Sequence, residues 1–103
     1  MSKYKAIPTA VDGIIFASKK EAARYGELKL LERAGIIKDL TLQPRYPIVF
    51  EGKLICTYIA DFSYTDLSKR FVVEDVKGMK TPAYRLKKKL VEARYPHIRI
   101  TEL

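Results

Sequence analysis

The sequence predicts an α+β domain in which a mixed sheet is flanked by helices. Three observations carry that reading. Two segments, Ser18–Gly35 and Pro82–Arg94, repeat apolar residues at the helical period. Around the second, runs of β-branched and aromatic residues are punctuated by Gly, Pro and Asp, the pattern of short strands. The chain is 48% hydrophobic and 103 residues long, enough for one modest core, so residues 1–103 read as a single domain.

The elements follow in order. Thr9–Phe16 holds Asp12-Gly13 between two short apolar runs, a small hairpin. Ser18 and Glu21 make a capping-box pair at the start of the first helix, and Gly35 is its stop. Ala22, Tyr25, Leu28 and Leu31 or Glu32 supply its helical repeat. From Asp39 onward the chain alternates into strands, with Pro44 and Pro47 breaking the first part. Glu51-Gly52 turns Tyr46–Phe50 back into one long strand near Leu54–Tyr64, and Arg70–Lys77 is the next strand. Thr81 and Pro82 are an N-cap and N1 pair for the second helix, whose apolar stripe is Ala83, Leu86, Leu90 and Ala93. Pro96 stops it, and the residues from His97 form a last short strand, placed parallel to its neighbour by the helical crossover.

Composition narrows the function. The net charge is +8 and the pI about 9.6, which favours a polyanionic partner through phosphate neutralisation. No apolar run is long enough to span a bilayer, and the N-terminus lacks a signal-peptide core, so no membrane role and a cytoplasmic setting are expected. Cys56 is the only cysteine, which excludes a disulfide framework and a cysteine-based zinc site; it reads as a small buried hydrophobe.

The chemistry sits in "FVVEDVKGMK", Phe71–Lys80. A strand that begins as buried apolar sequence goes on to carry Glu74, Asp75 and Lys77. Buried charge is costly unless it is paired or bound to metal. By alternation Val73, Asp75 and Lys77 share one face, and Val72, Glu74 and Val76 the other. Glu74→Gln is thereby the off-face control for a change at Asp75. The preceding strand places Asp61 between Ala60 and Phe62. Two neighbouring carboxylates repel unless a cation lies between them, and hard cations such as Mg²⁺ or Mn²⁺ take oxygen ligands. An adjacent lysine can orient an attacking water or stabilise developing negative charge. The plainer reading of Asp75 and Lys77 is an exposed ion pair, and of Asp61 an edge-strand charge.

"YIADFSY" (Tyr58–Tyr64) followed by "VVEDVKG" (Val72–Gly78) resembles the PD-(D/E)XK nuclease superfamily. Asp61 matches the first acid, with Ala60 in place of the usual proline, and Asp75-x-Lys77 matches the acid-x-lysine. The upstream "SKKEAARYGELKLL" is similar to the superfamily's first helix, where Glu21 falls at the position of a further metal-site glutamate. Closer still, nearly the whole chain resembles a family of small phage-encoded proteins of unknown function, which share the start around Asp12-Gly13, "LQP", "YIADF" and "VEDVKG". The resemblance implies a restriction-endonuclease-like αβββαβ core and hydrolysis of DNA phosphodiesters, leaving 5′-phosphate and 3′-hydroxyl ends. It implies that Asp61, Asp75 and Glu21 hold Mg²⁺ or Mn²⁺, that the Val76 carbonyl completes the set, and that Lys77 assists catalysis. Glu21 also sits at N3 of a capping box, where it stabilises a helix without any metal.

Arg85, Lys87, Lys88, Lys89 and Arg94 make a basic face on the second helix, which Lys80 joins to the acid cluster. DNA-backbone contact is one meaning of that face; an ordinary solvated surface is the other. Gln43 can touch the site or make only local hydrogen bonds. Tyr84 can pack or meet DNA, and His97 reads as structural. A chain this short carries no separate target-recognition region, so structure-selective cleavage of double-stranded or branched DNA is expected, with junction-type substrates and a homodimer that cuts two strands. No cofactor other than metal is expected. The alternative is a nucleic-acid-binding module that keeps the fold without chemistry.

Overall fold

The structure, a computed structural model, describes residues 7–76 and 80–103. Strands β1 (Thr9–Val11) and β2 (Ile14–Phe16) form an antiparallel hairpin. Its turn residues Asp12 and Gly13 take φ of 53° and 76°, the twist that a two-residue hairpin turn needs. Helix α1 (Lys19–Arg33) starts where the Ser18 hydroxyl accepts the Glu21 N–H at 3.1 Å. It ends in a Schellman motif: Gly35 has φ 76°, the Ile36 N–H reaches the Leu31 carbonyl at 2.9 Å, and the Gly35 N–H reaches Glu32 at 3.0 Å. Ala22, Tyr25 and Leu28 are buried, as their spacing predicts.

Next come β3 (Ile37–Leu42), β4 (Arg45–Phe50), β5 (Lys53–Ile59), β6 (Phe62–Asp66) and β7 (Phe71–Asp75), then α2 (Pro82–Arg94) and β8 (Ile100–Glu102). The main sheet has the order β3-β6-β7-β8. Its first two pairings are antiparallel and β7–β8 is parallel, so the fold is α+β with a mixed sheet flanked by two helices. One face packs under α1 through Phe16, Tyr25, Leu28, Phe62 and Tyr64. The other packs with α2 through Val73, Tyr84, Val91, Ile98 and Ile100. Among the described residues no helix is long and apolar enough to cross a membrane.

Two expectations about the elements are corrected. The long strand across Leu54–Tyr64 is two strands. β5 pairs only with β4, in a separate two-stranded ribbon, whereas β6 belongs to the main sheet. The bend at Ala60–Asp61 is held by backbone bonds that single-strand alternation cannot reveal. The Ala60 N–H donates to the Pro44 carbonyl at 3.1 Å, Gln43 donates to the Asp61 carbonyl at 3.0 Å, and the Asp61 N–H donates to Glu74 at 3.1 Å. Pro47 fits inside β4 because a two-stranded ribbon leaves that strand an open edge.

The second correction concerns α2. Its boundaries, cap and N1 proline agree with expectation, but the buried stripe does not. Tyr84 and Val91 are buried, Leu90 is half-buried, Ala83 and Ala93 are exposed, and Leu86 is 59% exposed. The helix turns Tyr84 and Val91 inward, with Leu90 and Tyr95 packed against the same core and the Tyr84 ring tilted 6.3 Å from that of Tyr58. Aromatic bulk outweighed the count of aliphatic positions.

Candidate metal centre and nucleic-acid interface

The bend between β5 and β6 places Asp61 at the head of β6, against the C-terminal end of β7. Its carboxylate accepts the Val76 N–H at 2.6 Å. Asp75, the last residue of β7, is fully buried and accepts a short hydrogen bond from the Tyr58 hydroxyl. The two carboxyls lie side by side. Burial, then Asp75 as hydrogen-bond partner and like charge, then the charge of Glu21, push the Asp61 carboxyl up to about 7, against the opposing pull of the Val76 N–H. Glu21 is buried at the start of α1, near enough for its charge to act on Asp61, so the structure brings Asp61 and Asp75 together with Glu21 farther off.

Alternation assigned the faces of β7 correctly. Val73 and Asp75 turn toward the α2 side, while Val72 and Val76 pack on the α1 side. Glu74, however, is no bystander. It is 1% exposed and held by Arg24 in a two-point ion pair, Nε to Oε1 at 2.8 Å and Nη2 to Oε2 at 2.6 Å, with a short hydrogen bond from the Tyr64 hydroxyl. Glu74 raises the already high Arg24 pKa further, and burial, followed by Glu74, pushes Tyr64 up to about 12. Glu74→Gln therefore cannot serve as an innocent control. The pair was readable only with tertiary knowledge, although Arg24 stands one helical turn beyond Glu21 and so shares its side of α1.

Two further partners were missed, Tyr58 and Glu102. Tyr58 sits on the inner face of β5, and its hydroxyl is held against Asp75. Burial, then the Asp75 carboxylate, raise its pKa. Tyr84 packs rather than standing free, and its hydroxyl donates to Glu102 at 2.7 Å. Lys80 reaches the other Glu102 oxygen at 3.2 Å, and the Tyr84 hydroxyl, then Lys80, hold the Glu102 carboxyl below its usual range. Glu102 lies beside Asp75 in the parallel β7–β8 register.

Lys77 lies outside the described residues. Among the described residues no three carboxylate, imidazole or thiol groups converge at metal-ligating distance. The donor chemistry of Asp61 and Asp75 nonetheless fits a hard divalent cation. Two adjacent carboxylates, one buried and one half-buried, offer only oxygen, and the raised Asp61 pKa marks a place where a proton is retained that a cation can replace.

The basic residues of α2 do not form one face. Arg85 and Lys89 are exposed; Lys87 and Lys88 are half-buried, and Lys88 pairs with Glu92 at 3.7 Å. Lys87 instead lines a cavity of about 290 Å³ with Thr57, Tyr58, Thr81 and Tyr84. Gln43 contributes its backbone to the Asp61 bend, with φ 50°. His97 is exposed, its ring 6.4 Å from those of Phe71 and Tyr95. Cys56 is half-buried on the inner face of the ribbon.

A family model described as protein of unknown function (DUF1064) matches residues 1–103. The chain belongs to the DUF1064 family. No curated protein and no solved structure matches it. This DUF1064 chain thus carries one acid of the pair in the Ala60–Asp61 bend and the other at the end of β7, with α1 and α2 on opposite sides of the main sheet.

Proposed function

We propose that this chain is a divalent-metal-dependent nuclease of the PD-(D/E)XK type that hydrolyses DNA phosphodiesters, selectively at branched or junction structures. The observation that carries the reading is the pairing of the half-buried Asp61 carboxyl, in the bend before β6, with the fully buried Asp75 at the end of β7, within reach of the charge of Glu21. A pure binding module gains nothing from buried carboxylates that repel phosphate. Asp61 and Asp75 would hold Mg²⁺ or Mn²⁺, with Glu21 and the Val76 carbonyl as further oxygen donors. When bound, the cation supplies a water of lowered pKa and draws charge from the phosphate. Tyr58 fixes the Asp75 carboxylate, and the Val76 N–H fixes that of Asp61, so both donors are oriented in advance. Lys77 would align the attacking water or stabilise the crowded phosphorus. Water adds to phosphorus, the P–O3′ bond breaks, and the oxygen leaves as the 3′-hydroxyl opposite a 5′-phosphate. Exposed Arg85 and Lys89 are the cations best placed to meet backbone phosphates.

The test is a cleavage panel of linear duplex, single strand, flap and four-way junction with Mg²⁺ or Mn²⁺, run beside thermal melts with and without Mn²⁺. Metal should raise the melting temperature and support cleavage. Asp75→Asn should lose both while still binding DNA in EDTA. A protein that neither gains stability from metal nor cuts any of these structures is not a nuclease, and junction binding without cleavage would identify the binding module.

A further inference from the structure

The β4–β5 ribbon has a covered face and a bare one. Tyr46, Ile48, Cys56 and Tyr58 turn inward to the core shared with α2. On the opposite face Val49, Leu54, Ile55 and Ile59 are 45%, 59%, 55% and 42% exposed, and Val49 and Leu54 are direct cross-strand partners. Exposed Pro47 continues that face, and Phe50 stands out at the tip. Neither strand pairs with another sheet among the described residues. A two-stranded ribbon with one supporting layer is marginal in water, and alternation normally makes the outer face polar. Here four aliphatic side chains and Pro47 leave Thr57 as the polar residue between the two ends of the face.

The geometry points to a second copy of this chain as what covers that face: two molecules associate through the outer faces of their β4–β5 ribbons about a two-fold axis. The area fits. The four side chains leave on the order of 300 Å² of aliphatic surface in water, the size at which a patch on a monomer marks an interaction site. Two such faces laid together, with Pro47, Phe50 and the intervening backbone, bury on the order of 1,000 Å², the lower bound of a specific interface. Charge fits as well. The chain carries +8, so a self-contact favours a surface poor in cations, and the Val49–Leu54–Ile55 part of this face has none; Arg45 and Lys53 lie at its ends, and Lys87 flanks Thr57 and Ile59 across a cavity. A phosphate backbone would demand the reverse. An apolar face can meet its own copy, and a two-fold axis brings like residues together without leaving an open surface for further growth.

The test needs neither metal nor DNA, so its failure leaves the nuclease reading intact. Multi-angle light scattering and sedimentation of the full chain should give twice 11.8 kDa at tens of micromolar, with dissociation on dilution. Ile55→Glu, at an exposed position, should retain the circular dichroism spectrum and shift the dissociation constant by at least 100-fold. Leu86→Glu, exposed on the outward side of α2, should leave the dimer unchanged. Three outcomes overturn the proposal: a wild-type monomer at 0.5 mM, an Ile55→Glu protein as dimeric as wild type, or a monomer whose ribbon instead inserts into anionic vesicles.

Discussion

Asp61 is a carboxylic acid whose proton is held by its surroundings. Burial and the neighbouring acid raise its folded pKa from 3.8 to about 7, so the folded chain binds that proton more tightly than the unfolded chain does. Its contribution to stability is therefore fully present below about pH 4 and is lost as pH rises through about 7. In EDTA, the melting temperature should fall between pH 5 and pH 8, and Asp61→Asn should flatten the fall. Mn²⁺ should restore stability at pH 8, where the proton has gone. Melts across that window, with and without metal, check all three statements. Glu74 makes the opposite kind of case. Glu74→Gln leaves Arg24 and Tyr64 facing an amide in a nearly dry site, and should cost about 2–3 kcal/mol in urea denaturation, reduced from a fully buried pair because Arg24 is partly exposed. The residue pattern gave the face of Asp75 because strand alternation is a local rule, whereas Asp61 lies in a bend that alternation does not reveal. It missed Arg24 and Tyr58 because each meets its acid from another element.

The elements repeat that division. Caps and turns were legible: Ser18, Gly35, Thr81, Pro82, Asp12-Gly13 and Glu51-Gly52 each act within a few residues of themselves. Gly35→Ala should cost about 1 kcal/mol, since its φ of 76° disfavours a Cβ even though none would meet a neighbour there. What escaped was the choice of buried face on α2 and the break inside the long strand. Both are settled by the ribbon, which offers Tyr58 to Tyr84 and forces the chain to bend at Ala60. The corrected face gives a sharp contrast. Val91→Ala should cost about 2–3 kcal/mol, whereas Leu86→Ala should change stability by less than about 0.5 kcal/mol. Equal costs from chemical denaturation would return the buried stripe to Leu86.

At the scale of the molecule, the chain is flat, with extents of 42 × 42 × 20 Å. A flat, cationic body can lay a broad face on nucleic acid, and affinity should fall steeply with salt. Only cations free to meet phosphate enter that slope. Arg85→Ala with Lys89→Ala should reduce the slope of log affinity against log salt by about 1–2, measured by fluorescence anisotropy. Lys88→Ala, already committed to Glu92, should change it by less. The overall charge was plain in the sequence, but which lysines are spoken for depends on the packing of α2.

The bend at Ala60–Asp61 joins two bodies that share no strand pairing. The ribbon ends at Ile59, the main sheet resumes at Phe62, and the acid lies in the two-residue joint between them. A lever whose pivot is an acidic side chain cannot be tilted without turning that side chain. Any tilt of the ribbon would be spent within one peptide unit of Asp61, against the clamp formed by the Pro44, Gln43 and Glu74 backbones. That joint carries the acid proposed to hold the metal.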